Sequence, residues 1–139
     1  MYKHILIPVA LDHEGIVSSK IAVARRLLAE GGKITLLTVL EEIPGFVAEF
    51  VDSGSENHLT SRIKEKLEAA ADGAKDVSTQ TVSGKPGVQI AEFARQNQID
   101  LIVVGSHKPG VKDYFLGSTA SRVSRRAPCA VFILRPDDD

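Results

Sequence analysis

The chain has 139 residues, a length typical of one domain and sufficient to bury a core without disulfides or a structural metal. Its formal net charge of −1 argues against nucleic-acid binding, which usually requires a basic excess. Cys129 is the only cysteine, so an intrachain disulfide is excluded; it lies in an apolar run and is expected to be a buried, unreactive thiol. Zinc-site spacing, a signal peptide and a run of about 20 apolar residues are all lacking, so we expect no metal, no membrane span and a cytoplasmic protein.

The first half of the chain alternates apolar runs with an amphipathic segment. Residues 5–10 form a continuous apolar run, which is typical of a strand covered on both faces. Gly31-Gly32 is predicted to end the following helix as a C-cap, and residues 34–40 form a second buried strand. Residues 41–55 are predicted to be a loop or lid. The helix is indicated by apolar residues at helical spacing: Val17, Ile21, Ala24 and Leu28.

The same alternation continues in the second half. Another helix is indicated by Leu59, Ile63, Leu67 and Ala70. Residues 76–82 are more polar, as expected of an edge strand, and Pro86 suits the first turn of the next helix. The remaining segments are a buried strand over 101–104, a helix from Ser118-Thr119, a last strand over 130–134 and an acidic tail over 136–139.

Strands that alternate with helices predict a parallel sheet with helices on both faces. Right-handed crossovers then make the chain a single doubly wound α/β domain over residues 1–139, of the Rossmann-like class. In such sheets a ligand lies beyond the carboxyl ends of the strands, where the winding reverses. The candidate segments are therefore 8–12, after the first strand, and 105–119, after the fourth.

The second of these segments has features that favour anion binding. Gly105 and Gly117 lack a Cβ, so a ligand can approach the backbone closely. Ser118 and Thr119 offer hydroxyl and backbone N–H groups at the positive end of a helix, and Lys108 can add charge. A simple loop followed by a helix N-cap remains the alternative. Neither a Walker A loop nor a dinucleotide fingerprint is present.

Several short segments of the chain, taken in their order, resemble the corresponding segments of the universal stress protein family. The similarity extends over essentially the whole chain and rests on the segments 5–8, 38–39, 103–107, 116–119 and 128–131. It implies strand order 3-2-1-4-5 and a homodimer. Ser106-His107-Lys108-Pro109 is similar to a bacterial branch associated with ATP binding. Two departures are Lys108, where the family signature has a glycine, and Ala10, where an acidic residue is common.

Residue by residue, the resemblance implies a site for ATP, or for ADP or AMP, with Mg²⁺ as an optional companion. Pro8, Val9, Ala10 and Val39 would line the adenine side, Gly105 would let the ribose and phosphates pass, and Gly117, Ser118 and Thr119 would hold phosphate oxygens. Lys108 is a hypothetical extra cation. The full set of expected nucleotide-binding residues is Pro8, Val9, Ala10, Val39, Gly105, Lys108, Gly110, Gly117, Ser118 and Thr119.

His107 invites an enzymatic interpretation, but its segment supplies no nucleophile or acidic partner. We therefore expect no enzyme, and leave open slow incidental ATP hydrolysis. His4, His13 and His58 are expected at the surface or at strand ends.

The uncharged last strand, residues 130–134, would expose a sheet edge, which pairing with a second copy would cover. Two functions stay open: a regulatory module whose ATP occupancy is read by an unknown partner, or a nucleotide-independent interaction module with a vestigial pocket.

Overall fold

The computed structural model describes residues 1–9, 14–40, 64–65, 67–69, 71, 73–105 and 118–135. The elements are β1 (Tyr2–Pro8), α1 (Glu14–Leu27), β2 (Leu28–Leu40), β3 (Val77–Ser83), α2 (Pro86–Gln96), β4 (Leu101–Gly105), α3 (Ser118–Arg126) and β5 (Ala130–Leu134). The described residues between 64 and 71 are also helical, as the spacing around Leu67 predicts. The lid segment 41–55 and the acidic tail 136–139 lie outside the described residues.

The five strands form one sheet in the order β3-β2-β1-β4-β5, and each neighbouring pair is parallel. This confirms the doubly wound α/β class and the strand order that the family resemblance implies. The polar strand β3 lies at one edge, as its composition predicts. The uncharged strand β5 lies at the other edge.

Two apolar cores cover the two faces of the sheet. Ile5 and Ile7 point to one face, where α1 and the helical residue Leu67 pack, whereas Leu6 points to the other, beneath α2 and α3. All four of these side chains are buried. Since successive side chains of a strand point to opposite faces, a continuous apolar run in β1 is what helices on both faces require.

The predicted C-cap at Gly31-Gly32 is wrong. Helix α1 ends at Leu27, and Leu28 already belongs to β2, where it pairs with Tyr2. The register then shifts before His4 pairs with Lys33, and Gly31 adopts a φ of 78° within this irregular stretch. Gly31 therefore does adopt the left-handed conformation, but within the first residues of β2 and not at the end of a helix. Pairing with β1 overrides the local helical pattern.

Of the two placements expected for His4, the structure supports the strand end rather than the surface, since His4 is the third residue of β1. It lies within β1, half-buried, and its Nε2 is 2.8 Å from the Thr35 hydroxyl, which is 3.1 Å from the Ser78 hydroxyl. Burial, followed by the positive charge of Lys33, lowers the pKa of His4. A row of polar side chains therefore links the three strands β1, β2 and β3.

Candidate functional site

The pairing between β1 and β4 stops before the carboxyl ends of the two strands, and we refer to the region beyond the last pair as the crevice. These two strands pair only through Ile5 with Leu101 and Leu6 with Ile102. Beyond that point β1 continues to pair with β2 as far as Pro8, and β4 continues to pair with β5 as far as Gly105. The pairing of β1 with β4 therefore ends where the winding of the sheet reverses, which is the usual ligand position in an open α/β sheet.

On the β1 side, the backbone of Pro8 and Val9 is held by β2. The Val9 N–H donates to the Leu37 carbonyl at 2.7 Å, and the Thr38 hydroxyl donates to the Val9 carbonyl at 3.2 Å. Thr38 is buried, so this hydroxyl–carbonyl bond is shielded from water and both groups are satisfied. The end of β1 therefore presents a rigid border to the crevice.

Lys20 of α1 is the buried cation at this border. Its Nζ donates to the Pro8 carbonyl at 3.3 Å, and the residue is only 7% exposed. Burial lowers the pKa of this ammonium group. The sequence interpretation missed Lys20, although a signal exists: it follows the buried Val17 by three residues and precedes the buried Ala24 by four, so it shares their helix face.

Val39 and Gly105 lie at the same edge of the sheet. Gly105 is the last residue of β4 and pairs with Leu134 of β5. Val39 follows, by two residues, the Leu37 that pairs with Pro8, so β2 extends past the end of β1. Val39 packs against the core under α2 and α3, whereas Val9 belongs to the core under α1. The two side chains therefore approach this edge from opposite faces of the sheet.

Helix α3 begins at Ser118, as the sequence predicts. Thr119 is exposed in its first turn, and Ala120 and Val123 anchor the helix on the sheet. Its first turn carries no acidic residue that would repel an anion. Ala10, Lys108, Gly110 and Gly117, which complete the expected set, lie outside the described residues, as do His13, His58 and His107.

Cys129 lies at the border of one core rather than fully inside it. It is half-buried beside the core under α2 and α3, and burial, ahead of the negative charge of Asp100, raises the pKa of its thiol. The thiol is thus less buried than its apolar surroundings in the sequence predict, while the raised pKa disfavours the thiolate, which is the reactive form. In the part of the chain that the structure describes, no helix is long and apolar enough to cross a membrane.

Comparison with known proteins agrees with this arrangement. The family model of the universal stress protein family matches residues 1–135. The chain belongs to this family. It is 30% identical to universal stress protein MJ0531 of Methanocaldococcus jannaschii over 97% of this chain and 83% of that protein.

Solved structures share the fold. The structure of MJ0577, a universal stress protein of Methanocaldococcus jannaschii, superposes with a TM-score of 0.78 at 27% identity, over 100% of this chain and 99% of that one. A universal stress protein solved in complex with cAMP has a TM-score of 0.61 at 23% identity, over 96% of this chain and 97% of that one. At this lower identity the likeness concerns the fold alone.

Proposed function

We propose that the protein binds an adenine nucleotide, ATP or else ADP or AMP, in the crevice between β1 and β4. The observation that carries this proposal is that the pairing of β1 with β4 ends at Leu6–Ile102, at the switch point of the sheet. Pro8 and Val9 form one border of this opening, Gly105 ends the strand on the other, and the family is that of the universal stress proteins.

The chemistry of the two borders suits the two ends of a nucleotide. Val9 and Val39 are apolar groups that border the place of the adenine ring from opposite faces of the sheet, while Gly105 leaves room for the ribose and phosphates. The first turn of α3, in which Thr119 is exposed, offers the N–H groups of Ser118 and Thr119 to phosphate oxygens, and Mg²⁺ is an optional further ligand. The cAMP complex of a related protein gives this fold a precedent for an adenine nucleotide.

In this proposal the nucleotide acts as a signal rather than as a substrate for fast turnover. Occupancy of the crevice sets the conformation or assembly of the protein, and an unknown partner protein reads that state. The protein is then a cytoplasmic regulatory module of the stress response. The alternative is an interaction module of the same fold whose crevice stays empty.

Calorimetric titration of the purified protein with ATP, ADP and AMP separates the two functions. We expect saturable binding of at least one of them, and mass spectrometry is expected to detect nucleotide carried through purification. A Gly105→Val variant should lose binding because its side chain would occupy the passage for the phosphates. Gln80→Val, a matched change on the exposed surface of β3, should retain it. Absence of heat for all three nucleotides, together with no nucleotide carried through purification, would contradict the proposal and favour the interaction module.

We also propose that the protein is a homodimer through β5; a higher oligomer would need a further contact between such dimers. β5 is the edge of the sheet next to β4, and Phe132 is 38% exposed on it. An uncharged edge strand with an exposed aromatic side chain is a surface that a second copy can cover symmetrically.

A further inference from the structure

The Lys20 ammonium lies on the crevice side of β1. No described peptide bond is cis, so the C=O of Pro8 and the N–H of Val9 point in opposite directions across their shared peptide plane. The Val9 N–H points to β2, since it donates to Leu37. The Pro8 carbonyl therefore points toward the β4 side, where β4 no longer pairs with β1. Lys20 donates its hydrogen bond to the Pro8 carbonyl on this side.

This ammonium is incompletely neutralised by the described residues. An ammonium group has three N–H donors, and the hydrogen bond to Pro8 uses one of them. Within the described ranges, no carboxylate forms an ion pair with Lys20, and burial alone lowers its pKa. A buried cation without a counter-ion is costly, so an anion arriving in the crevice would gain more from it than from an exposed lysine.

We propose that Lys20 is a specificity-determining residue of the crevice, whose ammonium group favours phosphate-bearing nucleotides over the uncharged nucleoside. This inference rests on the proposed nucleotide binding and adds a cation from α1 to it. The bond to Pro8 gives the ammonium a fixed position at the border of the crevice. The Pro8 border is the adenine end of the proposed site, so this charge acts on the phosphates through space, in an interior that screens charges less than water does. The uncharged nucleoside gains little from it.

The test compares ATP with adenosine in the wild-type protein and in Lys20→Met, by calorimetry at constant ionic strength and constant Mg²⁺. Methionine keeps most of the length of the lysine side chain and removes its charge, and it suits a buried position. We expect Lys20→Met to weaken ATP binding about tenfold and adenosine binding less than about twofold, so the preference for ATP falls. Far-UV circular dichroism and thermal unfolding check that the variant is folded.

Two further variants separate charge from packing. Lys20→Arg keeps a cation at this position and is expected to restore the preference for ATP over adenosine. Thr38→Val removes the neutral hydrogen bond to the Val9 carbonyl at the same border and is expected to weaken both ligands equally. The affinity of the wild-type protein for ATP should also fall more steeply with added KCl than that of Lys20→Met, because salt screens the lost interaction.

The outcomes distinguish this inference from the function on which it rests. Wild-type protein that binds neither ligand overturns both. Wild-type protein that binds ATP, together with a Lys20→Met variant of unchanged ATP preference, overturns the role of Lys20 and leaves nucleotide binding intact. Equal losses for ATP and adenosine in Lys20→Met also overturn it, since they reveal a packing role. The role of Lys20 is also overturned by a combination of two results: Lys20→Arg fails to restore the preference for ATP, and the ATP affinities of wild type and Lys20→Met depend equally on KCl.

Discussion

The backbone of Gly87 in α2 lies directly against the side chain of Arg122 in α3. A Cβ added to Gly87 would stand 2.7 Å from the Cβ of Arg122 and 3.2 Å from its Cδ. The first of these contacts cannot be relieved by a rotamer change, because a Cβ position is determined by the backbone. The absence of a side chain at Gly87 therefore allows the two helices to approach closely on one face of the sheet.

Gly87→Ala is predicted to destabilise the protein by about 1–3 kcal/mol, the usual cost of overpacking. The prediction opposes the ordinary helix preference, by which alanine is more stable than glycine. The free energy of unfolding in urea measures the change. Val88→Ala, at an exposed position of the same helix, should change it by less than about 1 kcal/mol. A Gly87→Ala variant as stable as wild type would show that α2 and α3 can separate without cost.

The His4 imidazole should make stability depend on pH near neutrality. Its pKa is lowered from 6.5 in the folded protein by burial and by Lys33, so the unfolded chain binds the proton more readily. The free energy of unfolding should therefore be unaffected by this group above about pH 7 and should fall as pH drops below 6.5. Unfolding measured at several pH values in wild type and His4→Gln tests this, since the variant should lose less stability on acidification. Parallel curves for the two proteins would contradict it.

The ion pair between Arg25 and Asp76 should act at lower pH. Arg25 approaches both carboxylate oxygens of Asp76, at 2.9 and 3.2 Å, and this hydrogen bonding lowers the pKa of the carboxyl from 3.8. Its stabilisation is present above pH 3.8 and is lost as pH falls toward the lowered value. Because both side chains are partly exposed, we expect Asp76→Asn to cost less than about 1 kcal/mol at neutral pH. The difference from wild type should vanish in acid and shrink in high salt; a constant difference would assign the effect to packing.

Phe132 and Val88 allow a matched test of the proposed dimer. Both are 38% exposed, Phe132 on the edge strand β5 and Val88 on α2. Phe132→Asp is predicted to shift the protein to a monomer in sedimentation velocity, because a charge on β5 opposes burial of this edge in a symmetric contact. Val88→Asp should leave the assembly unchanged. A wild-type protein that sediments as a stable monomer at micromolar concentration would rule out the dimer.

Which parts of the site the sequence could predict depends on how local each signal is. The strand after which the crevice opens and the helix that starts at Ser118 were both predictable, because apolar runs and helix-start residues are properties of a few neighbouring positions. Lys20 was missed because its significance depends on the Pro8 carbonyl, which only folding brings to it. The roles of Pro8, Val9, Val39 and Gly105 as nucleotide contacts remain predictions, although the structure brings all four to one edge of the sheet.

The sequence by itself determined the class of the fold: alternating strand and helix patterns require a parallel sheet, and the run 5–7 requires a strand buried on both faces. Only the tertiary structure decided where β1 and β4 part, how α1 gives way to β2 at Leu28, and which buried cation faces the crevice. The physical reason is the range of the interactions. Periodicity records the side that each residue buries, whereas pairing register, close helix contacts and a lysine bonded to a distant carbonyl arise between segments that meet only in the folded chain.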